Sequence, residues 1–194
     1  MQQQATDYKA QQAARDFTAL QLQQAHPHLV AAGDPLTTAA KNIRIELKRA
    51  FPGVKFSVKT SRFSMGDSIT VSWTDGPQAK QVDEIADKYA AGSFDGSQDL
   101  YTYERNAWRD AFGDAKYVST SRSYSDQAIA GAIRTAAARY HFNGIQVPTV
   151  DDWKNGRAWN VSPIVGGSMQ TRGDWQSLIS IELSRRTWAI AKKI

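Results

Sequence analysis

General acid–base work and metal binding both draw on imidazole and carboxylate, so those groups come first. The chain has three histidines, His26, His28 and His141. A helical zinc site places two histidines at i and i+4. His26 and His28 instead flank Pro27, which predicts a solvated loop, and His141 ends a predicted helix, where an imidazolium stabilises the C-terminal dipole. Two carboxylate pairs are close in sequence. Asp95 and Asp99, in "FDGSQD", lack the glycine position and the closing glutamate of a calcium loop, so a turn with an Asx cap is expected. Asp151 and Asp152 precede Trp153 and read as first-turn helix residues. Cysteine is absent, which removes thiol nucleophiles, disulfides and zinc-thiolate sites. No glycine-rich phosphate cradle, nucleophile elbow or dinucleotide fingerprint occurs, and "VGGSM" at 165–169 lacks the lysine that should follow. The motifs disfavour an enzyme, and neither a cofactor nor a metal is expected.

Cations and aromatic rings are the chemistry that remains. Lys41, Arg44, Lys48, Lys55, Lys59, Arg62 and Arg122 form the candidate set for binding nucleic acid or a partner, with Tyr117 and Tyr124 beside the last of them. Such rings stack on bases while such cations meet phosphates. No RNP-type aromatic motif accompanies them, and a solvated sheet face with scattered lysines fits the same residues. The formal net charge is +5 over 194 residues, and it is segregated. Residues 35–74 hold seven basic against two acidic groups, 126–194 nine against five, and 75–125 six against nine. That segregation suits a polyanion partner, DNA or RNA included. No apolar run approaches the roughly 18 residues of a membrane span, so a membrane is not an expected partner. The start, "MQQQATDYKAQQAARDF", has neither the basic opening nor the apolar stretch of a secretory signal, so a cytoplasmic location is expected.

The elements that must carry these residues follow from periodicity. Residues 1 to about 32, rich in alanine and glutamine, favour helix until "HPH" breaks it. Pro35 opens a second helix in which Leu36, Ala40, Ile43 and Leu47 share a face and Lys41, Arg44 and Lys48 form a separate basic stripe. Val54, Phe56 and Val58 then alternate with Lys55, Ser57 and Lys59, and Ile69, Val71 and Trp73 with hydroxyl residues. This is a hairpin with one dry and one wet, partly basic face. A further helix carries Val82, Ile85, Ala86 and Tyr89, with Gly92 as its expected stop. Leu100–Tyr103 reads as a strand, Trp108 and Phe112 as a short helix, and "AKYVSTSRSYS" as a third main strand. Ser125 caps a helix burying Ile129, Ile133, Ala136 and Tyr140. A long connector follows, laid over the core through Trp153 and Trp159. From an Asp174 cap the last segment fits a helix, although Ile179, Ile181 and Leu183 also alternate as in a strand. The expected class is α+β: a small, mostly antiparallel sheet of three or four strands with helices on one face. The expected division is an N-terminal helical extension at 1–34, an α+β core domain at 35–142 and a C-terminal extension at 143–194 packed on the core.

From "AAKNIRIELKRAFPGVKFSVKTSRFSMGDSITVSWTDGP" through "VDEIADKYAAGSFDGSQDLYTY", about residues 36 to 125, the sequence resembles a large polyvalent protein-associated domain, the twenty-ninth of that series. "FPGVKFSV", "SITVSWTDGP" and "FDG" are its most specific pieces. The resemblance implies an origin in phages, plasmids or conjugative elements, on proteins that help incoming DNA establish itself. It brings no catalytic motif. The expectation is therefore a non-enzymatic counter-defence protein, of anti-CRISPR or anti-restriction type, whose partner is a host defence protein or nucleoprotein complex. The acidic stretch 75–125 would mimic DNA charge in such a complex. The alternative is a nucleic-acid-binding accessory protein of plasmid or phage transfer.

Overall fold

The computed structural model describes residues 2–95, 100–103, 106–139, 146–160 and 174–188. Asp99, Tyr140, His141 and the "VGGSM" stretch lie outside the described residues. The first helix, α1, runs over Gln2–Ala25 and ends at the "HPH" break, before the expected limit near residue 32. Asp34 opens α2, Pro35–Ala50: its carboxylate accepts from the Thr37 N–H at 3.1 Å, and Pro35 takes a first-turn position where no N–H is needed. Leu36, Ala40, Ile43 and Leu47 are buried, as their helical spacing predicts.

The hairpin consists of β1, Ser57–Phe63, and β2, Gly66–Thr74, paired antiparallel from Ser57 opposite Ser72 to Phe63 opposite Gly66. Val58, Ile69, Val71 and Trp73 are buried while Lys59 and Thr70 are exposed, the alternation of a one-sided sheet. Helix α3, Ala79–Ala86, tightens into a 3₁₀ turn over Asp87–Tyr89. Gly92 is not its stop. The Ala91 N–H donates to the Ala115 carbonyl at 2.8 Å and the Ala115 N–H to the Tyr89 carbonyl at 2.9 Å, so pairing draws the chain out of the helix first. Gly92 instead opens β3, Gly92–Asp95, antiparallel to β4, Leu100–Tyr103.

Helix α4, Ala107–Phe112, is capped by the Asn106 side chain and closed by Gly113. Next comes β5, Tyr117–Ser123, then α5, Asp126–Arg139, where the Ser125 hydroxyl accepts from the Ala128 N–H at 3.2 Å. A short α6, Val150–Lys154, precedes α7, Trp175–Ser184, which Asp174 caps through the Ser177 N–H at 2.7 Å. The last segment is therefore helical over this range, with Trp175, Leu178, Ile179 and Leu183 buried along one face. No described helix is long and apolar enough to cross a membrane.

The class is α+β, but the main sheet, in the order β1-β2-β5, is mixed and not mostly antiparallel. A tight turn forces β1 and β2 into opposite directions. Between β2 and β5 lie α3, β3, β4 and α4, a connection long enough to carry the chain back and lay β5 parallel to β2. The hydroxyl pairs Thr70 with Ser119 and Thr74 with Ser123 advance together along both strands, as parallel pairing requires.

The residues fall into two compact units, Met1–Trp73 with Lys80–Ser121, and Thr74–Ala79 with Arg122–Ile194. In the first, Ile43, Leu47, Ile69, Val71, Val82, Tyr89 and Phe112 form the core. Asn42 is fully buried there: it accepts from the Val30 N–H at 2.7 Å and donates to the Val30 and Phe112 carbonyls at 2.8 and 3.0 Å, fixing the loop after α1. In the second, Ile129, Ala132, Trp175, Ile179 and Leu183 form a separate core between α5 and α7. Buried Glu182 there pairs with Arg139 and Arg186.

Candidate binding surface

Alternation in the first unit brings Ser57, Lys59, Ser61 and Phe63 of β1 to one face with Ser68, Thr70 and Ser72 of β2. From β5 come Tyr117, Ser119 and Ser121, the Ser119 hydroxyl standing 3.3 Å from that of Thr70. Hydroxyls donate and accept, so this face can meet phosphate oxygens or peptide groups.

Six of the seven candidate basic residues lie in this unit. Arg44 donates to the Ala40 carbonyl at 3.2 Å and to the Val58 carbonyl of β1, which carries the basic stripe of α2 to the β1 side of the sheet. Arg62 grips both carboxylate oxygens of Asp34 at 2.6 and 2.8 Å. The Thr37 hydrogen bonds, and then Arg62, hold that carboxyl below its ordinary range. Lys41, Lys48, Lys55 and Lys59 are exposed and make no hydrogen bond or ion pair with a described residue. They are the cations left for a partner.

Arg122 belongs to the second unit and is half-buried. Its guanidinium donates to the carbonyls of Asp75 at 3.0 Å, Gly76 at 2.9 Å, Arg186 at 2.8 Å and Leu183 at 3.4 Å, and lies 5.0 Å from the Tyr124 ring centre. Burial pulls its pKa below the ordinary arginine value. The turn it holds is a tight one: Asp75 and Gly76 have φ of 59° and 60°, and the buried Asp75 carboxylate accepts from the Ser125 N–H at 2.9 Å. Nothing in "SRS" signals this role, because the acceptors come from two distant stretches of chain.

The acid–base candidates resolve into structural roles. His26 is half-buried, not a solvated loop residue: its ring meets Trp108 edge-on at 5.0 Å and Phe112 at 6.1 Å. Asp152 forms the expected first turn of α6 in a reciprocal cap with Thr149. Those Thr149 hydrogen bonds, with Arg157 adding, lower its pKa to about 2. Among the described residues no three His, Asp or Glu side chains gather as a metal-ligand set. A cleft of about 330 Å³ in the first unit is lined by Ala32, Pro35, Arg109, Asp110, Gly113 and Asp114, and Arg109 turns to the Ala91 carbonyl at 2.9 Å. Phe63, Tyr103 and Lys116, which sequence reasoning did not select, gather with Tyr117 at the hairpin end of the wet face. The available signal was Phe63 itself, an apolar residue in phase with polar neighbours.

Comparison with curated proteins and with solved structures finds no match. Residues 35–125, from the first turn of α2 to the residue before α5, match the family described as large polyvalent protein associated domain 29.

Proposed function

We propose that the protein is a non-enzymatic counter-defence protein of a mobile element, which works in the cytoplasm by occupying a host nuclease or its nucleoprotein complex. The observation that supports this reading best is the exposed set Lys41, Lys48, Lys55 and Lys59, free of described partners, beside a sheet face of hydroxyls. Charges already neutralised, like those of Arg62 and Asp34, contribute little to a partner, whereas unpaired lysines steer and hold an anionic surface. The cleft near Arg109 offers a guanidinium and two carboxylates but neither hydroxyl nor imidazole in its lining, which favours contact over chemistry. Affinity capture from host cells expressing a defined CRISPR or restriction complex tests the proposal. The complex should be retained after nuclease treatment and lost when the four lysines become glutamine. Retention by the quadruple variant at wild-type level would refute the assignment of this surface.

The second reading is a nucleic-acid-binding accessory protein of transfer or establishment, favoured by the aromatic rings that share the lysine-bearing face. It predicts binding that weakens steeply with salt as phosphate counterions are released. Gel shifts finding no association at low salt with single- or double-stranded DNA or RNA would exclude it.

A further inference from the structure

The hairpin end of the wet sheet face departs from the hydroxyl pattern. Phe63 stands in phase with Ser57, Lys59 and Ser61, yet is 47% exposed, and Tyr117, in phase with Ser119 and Ser121, is 37% exposed. Their rings are stacked, with centroids 6.1 Å apart and planes 20° from parallel. Gly66 lies opposite Phe63, and its missing side chain leaves room for the Lys116 stem: a Cβ on Gly66 would come within 2.6 Å of the Lys116 Cδ. Lys116 Nζ donates to the Met65 carbonyl at 2.9 Å and lies 5.3 Å from the Tyr117 ring centre and 5.9 Å from that of Tyr103. Grouped exposed rings of this kind mark an interaction site, and the cations among them indicate the sign of its partner.

We propose that Phe63 and Tyr117, flanked by Lys116 and Lys59, form a stacking platform for an unpaired base of single-stranded nucleic acid. The two rings lie 20° from parallel and are stacked, so a base, which always has a π face, can extend the stack on an exposed ring face. Lys116 puts an ammonium over the Tyr117 ring, 5.3 Å from its centre. Lys59, four residues along β1 and so about 13 Å away, puts a second where the backbone of a bound strand continues. Exposed stacked rings with flanking cations suit a polyanion carrying planar groups better than the apolar face of a protein helix, which needs a groove. Bases in a duplex are already stacked, so the platform selects single strands. This inference rests on the second reading, nucleic-acid binding, for which it names the site and the strand state, and it stands without the counter-defence reading.

The test is fluorescence anisotropy of the full chain with a labelled oligothymidylate of about 15 nucleotides, and with the duplex it forms with oligoadenylate. Both are measured at about 50 mM and about 200 mM salt. The single strand should bind more tightly than the duplex. The double variant Phe63→Ala/Tyr117→Ala should weaken single-strand binding by about tenfold or more, while Phe63→Trp retains or tightens it. Because the rings are exposed, both variants should melt with the wild type. Equal affinity for single strand and duplex, or full single-strand affinity in a folded double variant, would overturn the proposal. So would nuclease-resistant capture of a protein that depends on the two rings. The host-complex experiment uses the four-lysine variant, so failure there and failure here are separate results.

Discussion

Replacing Arg122 asks whether this half-buried cation holds the fold or faces a partner. Three of its four carbonyl acceptors lie within 3.0 Å, and all come from the second unit. Hydrogen bonds from a charged donor contribute about 1.5–3 kcal/mol each. They do not sum, because a half-buried site lets water reach some of the abandoned carbonyls, so Arg122→Ala is expected to cost about 3 kcal/mol in total. Arg122→Lys should cost about 2 kcal/mol, since one ammonium cannot spread across the acceptors that the planar fork reaches. For a chain of this length each kcal/mol moves Tm by about 2–4 °C, so Arg122→Ala should lower the melting of the second unit by about 6–12 °C. Calorimetry reads the shift, and near-UV circular dichroism follows the buried Trp175 through the same transition. Binding to oligothymidylate below the transition should stay at the wild-type level. A variant that melts normally yet loses binding would refute the structural role.

Three further outcomes follow from other contacts. Gly113 has φ of 83°, and a Cβ there would meet the Pro35 carbonyl oxygen at 2.4 Å, so Gly113→Ala should lower urea stability by about 2 kcal/mol or more. Glu182 is buried between half-exposed Arg139 and Arg186; Glu182→Ala should cost about 2–3 kcal/mol by urea unfolding, less than the loss from a wholly buried pair. Asp152 has a folded pKa of about 2 against an ordinary value of 3.8, so its contribution is present above 3.8 and is lost as pH falls through about 2. NMR titration should find this low pKa in the wild type and a value nearer the ordinary one in Thr149→Val.

Much of the fold was legible because its signals are local. Burial every second residue in Val58, Ile69, Val71 and Trp73 and every third or fourth in Leu36, Ala40, Ile43 and Leu47 reflects one partner layer on one side. Ser125 and Asp174 announced helix starts because a cap needs only its own next three residues. Strand direction was not legible, since no residue in "YVSTSRS" records which way β5 lies against β2. The carbonyl partners of Arg122 were not legible for a related reason. Its type suggests a phosphate, but its partners are backbone carbonyls, which are present in every sequence and distinguish none. Contacts between stretches distant in sequence were equally silent: Gln23 of α1 donates to the Ala111 carbonyl of α4, and α5 shares its core with α7.

The proposed contact surface against a host defence complex consists of Lys41, Lys48, Lys55 and Lys59. Plating efficiency of phage on cells carrying one defined CRISPR or restriction system, with the wild type or the four-lysine glutamine variant supplied, tests it directly. The wild type should raise plating on at least one defended strain, and the variant, folded and equally abundant, should not. Equal plating with wild type and variant, or no rescue against any defence type, would contradict this assignment.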